Sequence, residues 1–199
     1  MNSTNSRNST NSVLEHFRAT DALLEGHFVL SSGLHSPKYL QCALALQDPA
    51  DARRFGEAIA ANYSGEIIDT VASPAIGGLV IGFAVAQAFG ARFLWTERQD
   101  GVMTLRRGFT ITKGERILVV EDVITTGGST RECIAALEKH GATVVGAASI
   151  IDRSNGKADV GVPRLSLVSL DVPAYSPTDC PMCERGDALV KPGSRTPAK

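Results

Sequence analysis

One stretch decides the fold: Ile117-Leu118-Val119-Val120-Glu121-Asp122-Val123-Ile124-Thr125-Thr126-Gly127-Gly128-Ser129-Thr130. Its apolar half predicts a buried strand that ends at two carboxylates, where open α/β sheets bind ligands. Carboxylate oxygens there can accept hydrogen bonds from sugar hydroxyls. The glycines allow the following turn to point backbone N–H groups inward, and the helix that it opens favours a phosphate at its positive end. The pattern therefore predicts a site for a phosphorylated sugar.

A plainer interpretation of the turn is a tight connection between strand and helix that binds no ligand. The acidic pair favours a ligand, because two neighbouring carboxylates repel and must be solvated, paired or bound. The stretch lacks the Gly-Lys-Ser/Thr of a Walker loop. It also lacks the Gly-x-Gly-x-x-Gly of a dinucleotide site.

Residues 119–130 resemble the phosphoribosyl pyrophosphate (PRPP) signature of the type I phosphoribosyltransferases. Within that superfamily, Val-Ile-Thr after the acidic pair is similar to the orotate phosphoribosyltransferases. Residues 28–37 resemble their amino-terminal Ser-Gly-x-x-Ser-Pro segment, and Ile151-Asp152-Arg153 resembles the Asp-Arg that follows a late strand. The resemblance covers residues 13–195.

The rest of the chain predicts an α/β fold. Apolar runs at 67–72, 92–95, 117–121 and 144–151 predict strands, helical patterns at 78–89 and 130–140 alternate with them, and this order is typical of a mostly parallel sheet. Leu14, Phe17, Leu23 and Leu24 predict a first helix that begins at residue 12 and ends near Gly26. We expect two short strands at about 28–30 and 38–43, and a long hairpin or mobile loop over 96–112.

The resemblance implies a type I phosphoribosyltransferase fold, in which helices flank the central sheet and a small hood covers its active edge. We expect one domain over 13–195, with a core at about 46–160 and a hood from about 13–45 and 163–195. Residues 1–12 have the composition of a disordered tail, and 196–199 form a second tail.

Bulk composition narrows the class of protein. A chain of 199 residues with 43% apolar residues can bury one core, and a net charge of −1 gives no general attraction to nucleic acid or acidic membranes. No apolar run approaches the ~20 residues of a membrane helix, and the amino terminus lacks a signal-peptide core. We expect a cytoplasmic protein without a nucleic-acid or membrane partner.

Four cysteines are present, and only Cys180-Pro181-Met182-Cys183 forms a Cys-x-x-Cys pair. Such a pair supplies half of a tetrahedral zinc site. Cys42 and Cys133 are distant in sequence, and no histidine stands at the spacing of a zinc motif. A thioredoxin-like role would place the pair at the start of a helix after an early strand. The sequence therefore favours a structural turn.

A second glycine-containing loop, Ser73-Pro74-Ala75-Ile76-Gly77-Gly78, follows a predicted strand and precedes a helix. It is either an ordinary turn or a loop whose N–H groups face a pyrophosphate. The resemblance favours the pyrophosphate loop, which in these enzymes often contains a non-proline cis peptide.

Arginines offer the positive charge that the composition as a whole lacks. Arg98, Arg106 and Arg107 form either a solvated basic face or mobile groups that close on departing pyrophosphate. Asp152-Arg153 either makes a structural salt bridge or presents an arginine to a substrate carboxylate, which orotate has and uracil and the purine bases lack.

The resemblance implies a set of site residues. The implied catalytic residues are Glu121, Asp122 and Arg98. The implied PRPP-binding residues are Ser73, Gly77, Gly78, Arg98, Glu121, Asp122, Val123, Ile124, Thr125, Thr126, Gly127, Gly128, Ser129 and Thr130, and Thr125 and Arg153 hold orotate. Mg²⁺ is the implied cofactor, held mainly by PRPP and water rather than by a closed protein cage. A homodimer is also implied.

The chain departs from the orotate enzymes in its lysines. Those enzymes commonly carry Lys before the amino-terminal Ser-Gly, in the pyrophosphate loop and in the flexible loop, where this chain has Ser31, Gly77 and Arg98-Gln99. The nearest cations that could substitute are Lys38, Arg106 and Arg107.

The function that the resemblance implies is transfer of the phosphoribosyl group from PRPP to orotate, which gives orotidine 5′-monophosphate and pyrophosphate in pyrimidine synthesis. Two alternatives stay open. One is a phosphoribosyltransferase for another base, and the other is a PRPP-sensing regulator of the same fold that binds nucleic acid. The acidic balance and the short segment before residue 13 speak against the regulator.

Overall fold

The computed structural model describes residues 12–30 and 32–192. The tails expected at 1–12 and 196–199 therefore lie outside the described residues, apart from residue 12, which is helical. Ser31, at the position where the orotate enzymes commonly carry a lysine, also lies outside the described residues.

A six-stranded sheet forms the centre of the molecule, with strand order β5-β4-β3-β6-β7-β8. All neighbouring strands in it are parallel except β4 and β5, which form an antiparallel hairpin. The strands are β3 (Thr70–Pro74), β4 (Arg92–Gln99), β5 (Val102–Leu105), β6 (Arg116–Ile124), β7 (Thr143–Asp152) and β8 (Arg164–Ser169). The expected type I phosphoribosyltransferase class, with a mostly parallel sheet, is confirmed.

Helices cover both faces of this sheet. Alternate side chains of each strand point to opposite faces, and on both faces they are apolar and need a partner to pack against. On β6, Leu118 and Val120 pack in one core with α3 (Pro49–Ala61) and α4 (Gly78–Phe89). Ile117 and Val119 pack in a second core against α5, Gly128–Lys139. Both cores are apolar, which explains why β6 reads as a continuous hydrophobic run.

A second, three-stranded sheet joins the two ends of the described chain. Its order is β2-β1-β9, with β1 (Leu23–Val29), β2 (His35–Leu40) and β9 (Leu189–Val190). The short helices near it are α1 (residues 12–19), α2 (Cys42–Ala45) and α6 (Pro181–Glu184). Only two residue pairs, His27 with Leu189 and Phe28 with Val190, join β9 to β1.

Most predicted elements appear within a few residues of their expected bounds, and α4 matches them. The first helix does not, because it ends at residue 19 instead of near Gly26. Asp21 has a φ of 54°, which takes the backbone out of the helix. Leu23 then pairs with Leu40 in the hairpin, so the leucines that suggested a helical stripe lie in β1.

The segment predicted as a long hairpin or mobile loop is the β4–β5 hairpin. Its turn residues Asp100 and Gly101 both have positive φ, which is the geometry of the tight turns that join twisted antiparallel strands. Among the residues that the structure describes, no helix has the length and apolarity that crossing a bilayer requires.

Candidate active site

The two neighbouring acids of β6 point to opposite faces of the sheet. Glu121 lies on the α5 side, where its Oε2 accepts a hydrogen bond from the Thr130 hydroxyl at 2.5 Å. Burial raises the pKa of Glu121 to about 7, against the opposing effect of the Thr130 hydrogen bond. Thr130 is itself 1% exposed. It therefore positions Glu121 and does not present its side chain to a phosphate as the resemblance implied.

Asp122 lies on the opposite face, beside the second glycine-containing loop. Its Oδ1 accepts a hydrogen bond from the N–H of Val123 at 2.8 Å, and burial raises its pKa. A Cβ atom on Gly77 would stand 2.9 Å from Oδ1 of Asp122, so only glycine allows this close approach. The carboxyl group also accepts a hydrogen bond from the thiol of Cys42, in α2.

The turn between β6 and α5 is an open cradle of backbone groups. Thr125 and Thr126 are exposed, and Gly127 holds a φ of 75° next to Val160, a position that suits only glycine. The first N–H groups of a helix have no intrahelical acceptor, and at this end of α5 no side chain caps them. Arg131 supports the turn by donating to the carbonyl oxygen of Thr126 at 2.9 Å.

The loop after β3 lies beside this cradle. β3 and β6 are parallel neighbours, so the loop leaves the sheet at the same edge. The Ala75–Ile76 peptide bond is cis, as the resemblance implied, and the N–H of Ala75 donates to the carbonyl oxygen of Thr96 at 2.8 Å. Ile76 is 83% exposed. The N-terminus of α4 follows at Gly78 and has no side-chain cap.

Three predicted PRPP-binding side chains do not face the open edge. Ser73 is fully buried, and its hydroxyl lies under α4 where a side chain on Gly82 would overlap it. Ile124 is 1% exposed. Val123 packs against the apolar core that contains Leu118 and Val120. The alternation of side chains along a strand explains these placements. Any contact of Ser73 or Ile124 with a ligand at this edge therefore comes through the backbone.

Arg153 lies at the end of β7, next to the cradle. Ile124 pairs with Asp152 across β6 and β7, which brings Thr125 and Arg153 side by side just beyond the sheet. Among the described residues, the Nε of Arg153 is a buried side-chain nitrogen with no hydrogen-bond partner. Burial also lowers the pKa of this guanidinium group. A buried, unpaired guanidinium nitrogen is suited to bind an anionic group of a ligand.

The sequence left open whether Asp152-Arg153 makes a structural salt bridge. Asp152 does make one, but with Arg164 and not with Arg153. Asp152 pairs with Arg164, Nη1 to Oδ2, at 3.1 Å. It also accepts hydrogen bonds from the backbone and hydroxyl of Ser154, and these contacts lower its pKa despite burial. Asp152 is thus satisfied without Arg153.

The other predicted cations are held in ion pairs. Arg98 of β4 pairs with Glu132 of α5 at 2.6 Å and donates to the carbonyl oxygen of Gly101 at 2.9 Å. Arg106 and Arg107 both pair with Glu97, at 3.7 and 2.6 Å. Lys38 pairs with Glu25 across the β1–β2 hairpin at 3.4 Å. Each is partly exposed, and in this arrangement each is engaged by an acidic side chain.

Sequence reasoning missed two histidines. His27 and His35 lie with Cys180 and Cys183 in one cluster, whose ligand atoms are all within 4.8 Å of one another. The structure therefore places two histidines beside a pair that the sequence favoured as a structural turn. The available signal was two histidines eight residues apart, on either side of a predicted short strand, but only tertiary structure brings them to the cysteines.

Comparison with known proteins assigns the family. The phosphoribosyl transferase domain model matches residues 46–171. The orotate phosphoribosyltransferase of Pelotomaculum thermopropionicum is 51% identical over 183 residues, which cover 92% of this chain and 96% of that protein. The enzyme of the same name from Thermotoga maritima is 50% identical, over 92% of this chain and 98% of that protein.

A solved structure agrees with this assignment. The crystal structure of orotate phosphoribosyltransferase from Aeropyrum pernix aligns with a TM-score of 0.67 and 26% identity, over 79% of this chain and 93% of that one. The matched region contains the strands and loops that carry the acidic pair, the glycine-containing loops and Arg153. The chain therefore belongs to the phosphoribosyl transferase family and, within it, to the orotate phosphoribosyltransferases.

Proposed function

We propose that this protein transfers the phosphoribosyl group of PRPP to N1 of orotate, releasing pyrophosphate and forming orotidine 5′-monophosphate. The observation that carries the proposal is the buried, unpaired Nε of Arg153 beside the cradle of β6. An arginine with free hydrogen-bonding capacity matches the carboxylate that distinguishes orotate from uracil. Thr125, exposed and adjacent, adds a hydroxyl for a ring or carboxylate oxygen.

PRPP fits the remaining groups of the same edge. The free N–H groups at the start of α5, from Thr126 to Ser129, suit the 5′-phosphate. Glu121 and Asp122 suit the ribose hydroxyls, and as they ionise they favour positive charge that develops at the anomeric carbon. The loop at Gly77 and Gly78 suits the pyrophosphate, because its N–H groups open the N-terminus of α4.

The sheet edge would act mainly by positioning. β3, β6 and β7 are adjacent and parallel, so their three loops face one space in which two substrates can meet. Holding both reactants in a reactive geometry converts a two-molecule step into an effectively one-molecule step. Arg98 can turn to the pyrophosphate if it exchanges Glu132 for the substrate.

Magnesium fits the groups present at this edge. Glu121 and Asp122 offer carboxylate oxygens, the ligand type that Mg²⁺ prefers, but they point to opposite faces of the sheet, so the ion would be held mainly by PRPP and water. When bound, Mg²⁺ would neutralise charge on the pyrophosphate.

We also propose a homodimer in the cytoplasm. The outer side of α4 supports the dimer, because two of its large apolar side chains are exposed: Val80 at 49% and Phe83 at 60%. Apolar surface of this kind typically marks an interface. The net charge of −1 is compatible with a protein that binds neither nucleic acid nor acidic membranes.

Turnover with a panel of bases tests the proposal. The purified protein is mixed with PRPP, Mg²⁺ and orotate, uracil, adenine or hypoxanthine, and loss of each base is followed by ultraviolet absorbance. We expect orotate alone to be consumed, with orotidine 5′-monophosphate as the product by mass. Turnover of another base without orotate would favour the first alternative. PRPP-dependent retention of RNA or DNA without turnover would favour the regulator.

A further inference from the structure

A cluster of four ligand-type side chains lies where the smaller sheet meets the start of α6. His27 belongs to β1, His35 begins β2, and Cys180 and Cys183 flank the start of α6. All four ligand atoms lie within 4.8 Å of one another. Both cysteines are free thiols, so no disulfide accounts for their proximity.

We propose that these four residues bind one structural Zn²⁺ ion. Two thiolates and two imidazoles are a ligand set that zinc takes in closed tetrahedral sites. Two thiolates also balance the charge of the ion, which matters because His27, His35 and Cys180 are each at most 5% exposed. The site requires no ligand from water or substrate, so its role is structural.

The distances between the ligand atoms match a tetrahedron around zinc. Zn–N bonds of about 2.0 Å and Zn–S bonds of about 2.3 Å give N···S edges of roughly 3.6 Å and N···N edges of roughly 3.3 Å. Nε2 of His27 lies 3.5 Å from Sγ of Cys180 and 3.7 Å from Sγ of Cys183, and Nδ1 of His35 lies 3.3 Å from Sγ of Cys183. Nε2 of His27 and Nδ1 of His35 are 2.9 Å apart, so coordination needs only a few tenths of an ångström of opening.

Hydrogen bonding accounts for only one of the three contacts that His27 Nε2 makes within the cluster. Its Nδ1 lies 2.9 Å from the carbonyl oxygen of Asp187, which only accepts, so Nδ1 carries the proton. Nε2 then has one lone pair, yet His35, Cys180 and Cys183 all approach it. One lone pair accepts one hydrogen bond well, whereas a cation at the centre uses all four ligand atoms at once.

The same contact with Asp187 is typical of metal-binding histidines. Such a residue usually donates its second ring N–H to a carbonyl or carboxylate, which fixes the tautomer and the orientation of the ring. In this chain the carbonyl fixes His27 with Nε2 directed at the three other ligands. The arrangement therefore supplies both the ligands and the support that a zinc site needs.

Position in the fold explains what the ion would do. His27 and Cys180 are 153 residues apart, and zinc would tie the β1–β2 hairpin to the carboxyl-terminal segment. Besides the cluster, that segment contacts the hairpin through two residue pairs between β9 and β1, the backbone pairing of His35 with Tyr175 and the contact of His27 with Asp187, and zinc would add to these. Both β9 side chains are 49% exposed. Binding energy for a preformed tetrahedral site acts as folding energy for the elements that it joins.

Metal analysis of the full-length protein tests the site. The wild-type protein, purified without chelators or affinity metals and passed through a desalting column, is assayed for metals by inductively coupled plasma mass spectrometry. We expect about one equivalent of zinc per chain, following from a single tetrahedral site. C180S, C183S, H27Q and H35Q should each lose zinc at least tenfold, whereas C133A and H140Q, which alter residues outside the cluster, should retain it.

A spectroscopic measurement on the wild-type protein keeps the test independent of how the variants fold. Zinc is removed with a strong chelator and replaced with Co²⁺, which should produce thiolate-to-cobalt charge-transfer bands and the intense visible bands of a tetrahedral ion. Chelation should also lower the Tm reversibly. Stoichiometric iron or copper in place of zinc, a Cys180–Cys183 disulfide in the native protein, or failure of the metal-free protein to take up Zn²⁺ or Co²⁺ would overturn the proposal.

Discussion

The hydroxyl of Thr130 donates to Oε2 of Glu121 at 2.5 Å, across the space between the first turn of α5 and the end of β6. The bond connects the helix that opens the phosphate cradle to the carboxylate proposed to hold the ribose. Burial raises the pKa of Glu121 to about 7, and the Thr130 hydrogen bond is the contact that opposes this rise. Thr130 therefore helps to keep Glu121 ionised.

Replacing Thr130 with Val should raise the pKa of Glu121 further and weaken its hold on the substrate. A hydrogen bond to a charged group contributes about 1.5–3 kcal/mol, so kcat/KM should fall by roughly 10- to 100-fold. The acidic limb of the pH–rate profile should move to higher pH. Thr130→Ser, which keeps the hydroxyl, should resemble the wild type. A Val variant with wild-type kinetics at every pH would contradict this role.

Glu121 should make stability depend on pH near neutrality. Its pKa rises from 4.5 to about 7 on folding, so between these values the folded state binds more protons than the unfolded state. Stability contributed by this group is therefore lost as pH rises through that window. Glu121→Gln removes the charge, so its Tm should exceed that of the wild type by more at pH 8 than at pH 5. Equal differences at both pH values would show that the carboxyl group is not buried as described.

The approach of Asp122 to Gly77 should be sensitive to a single added methyl group. A Cβ at position 77 would lie 2.9 Å from Oδ1 of Asp122, and overpacking of this kind costs about 1–3 kcal/mol. Gly77→Ala should therefore lower the free energy of unfolding, measured by urea titration. In an Asp122→Ala background the same change should cost little. Equal costs in the two backgrounds would place the clash elsewhere.

The exposed side of α4 predicts the oligomeric state. Phe83→Glu introduces a charge where an apolar side chain is 60% exposed, so it should convert a dimer into a monomer in sedimentation velocity experiments. Ile67→Glu changes a side chain that is 68% exposed elsewhere on the surface and should leave the dimer intact. A Phe83→Glu protein that sediments as wild-type dimer would exclude α4 from the interface.

The sequence predicted most where local patterns determine structure. β6 and α4 were predictable as a strand and a helix because long apolar runs and flanking glycines leave few alternatives, although β6 continues to Ile124, past its expected end at residue 121. The order of carboxylates, threonines and glycines likewise predicted the cradle. Leu23 and Leu24 misled because a helical stripe and a hairpin strand both accept two leucines, and the turn at Asp21 decides between them.

Side-chain direction could not be predicted for fully buried strands. β3 is buried along its whole length, so no polar alternation reveals which face Ser73 occupies, and its hydroxyl lies under α4. The ion pairs of Arg98 with Glu132 and of Arg107 with Glu97 depend on how α5 and the β4–β5 hairpin pack. Spacing along the chain does not contain that information. The same is true of the histidines that meet Cys180 and Cys183.

The specificity for orotate over uracil, measured as the ratio of kcat/KM values with PRPP and Mg²⁺, tests the central claim most directly. Arg153 leaves its buried Nε free for a carboxylate, so the wild-type protein should consume orotate and not uracil. In Arg153→Gln, kcat/KM for orotate should fall because KM for orotate rises. Arg116→Gln, which alters an arginine at the opposite end of β6, should keep the wild-type ratio. Turnover of uracil in preference to orotate by the wild type, or an unchanged ratio in Arg153→Gln, would contradict the account.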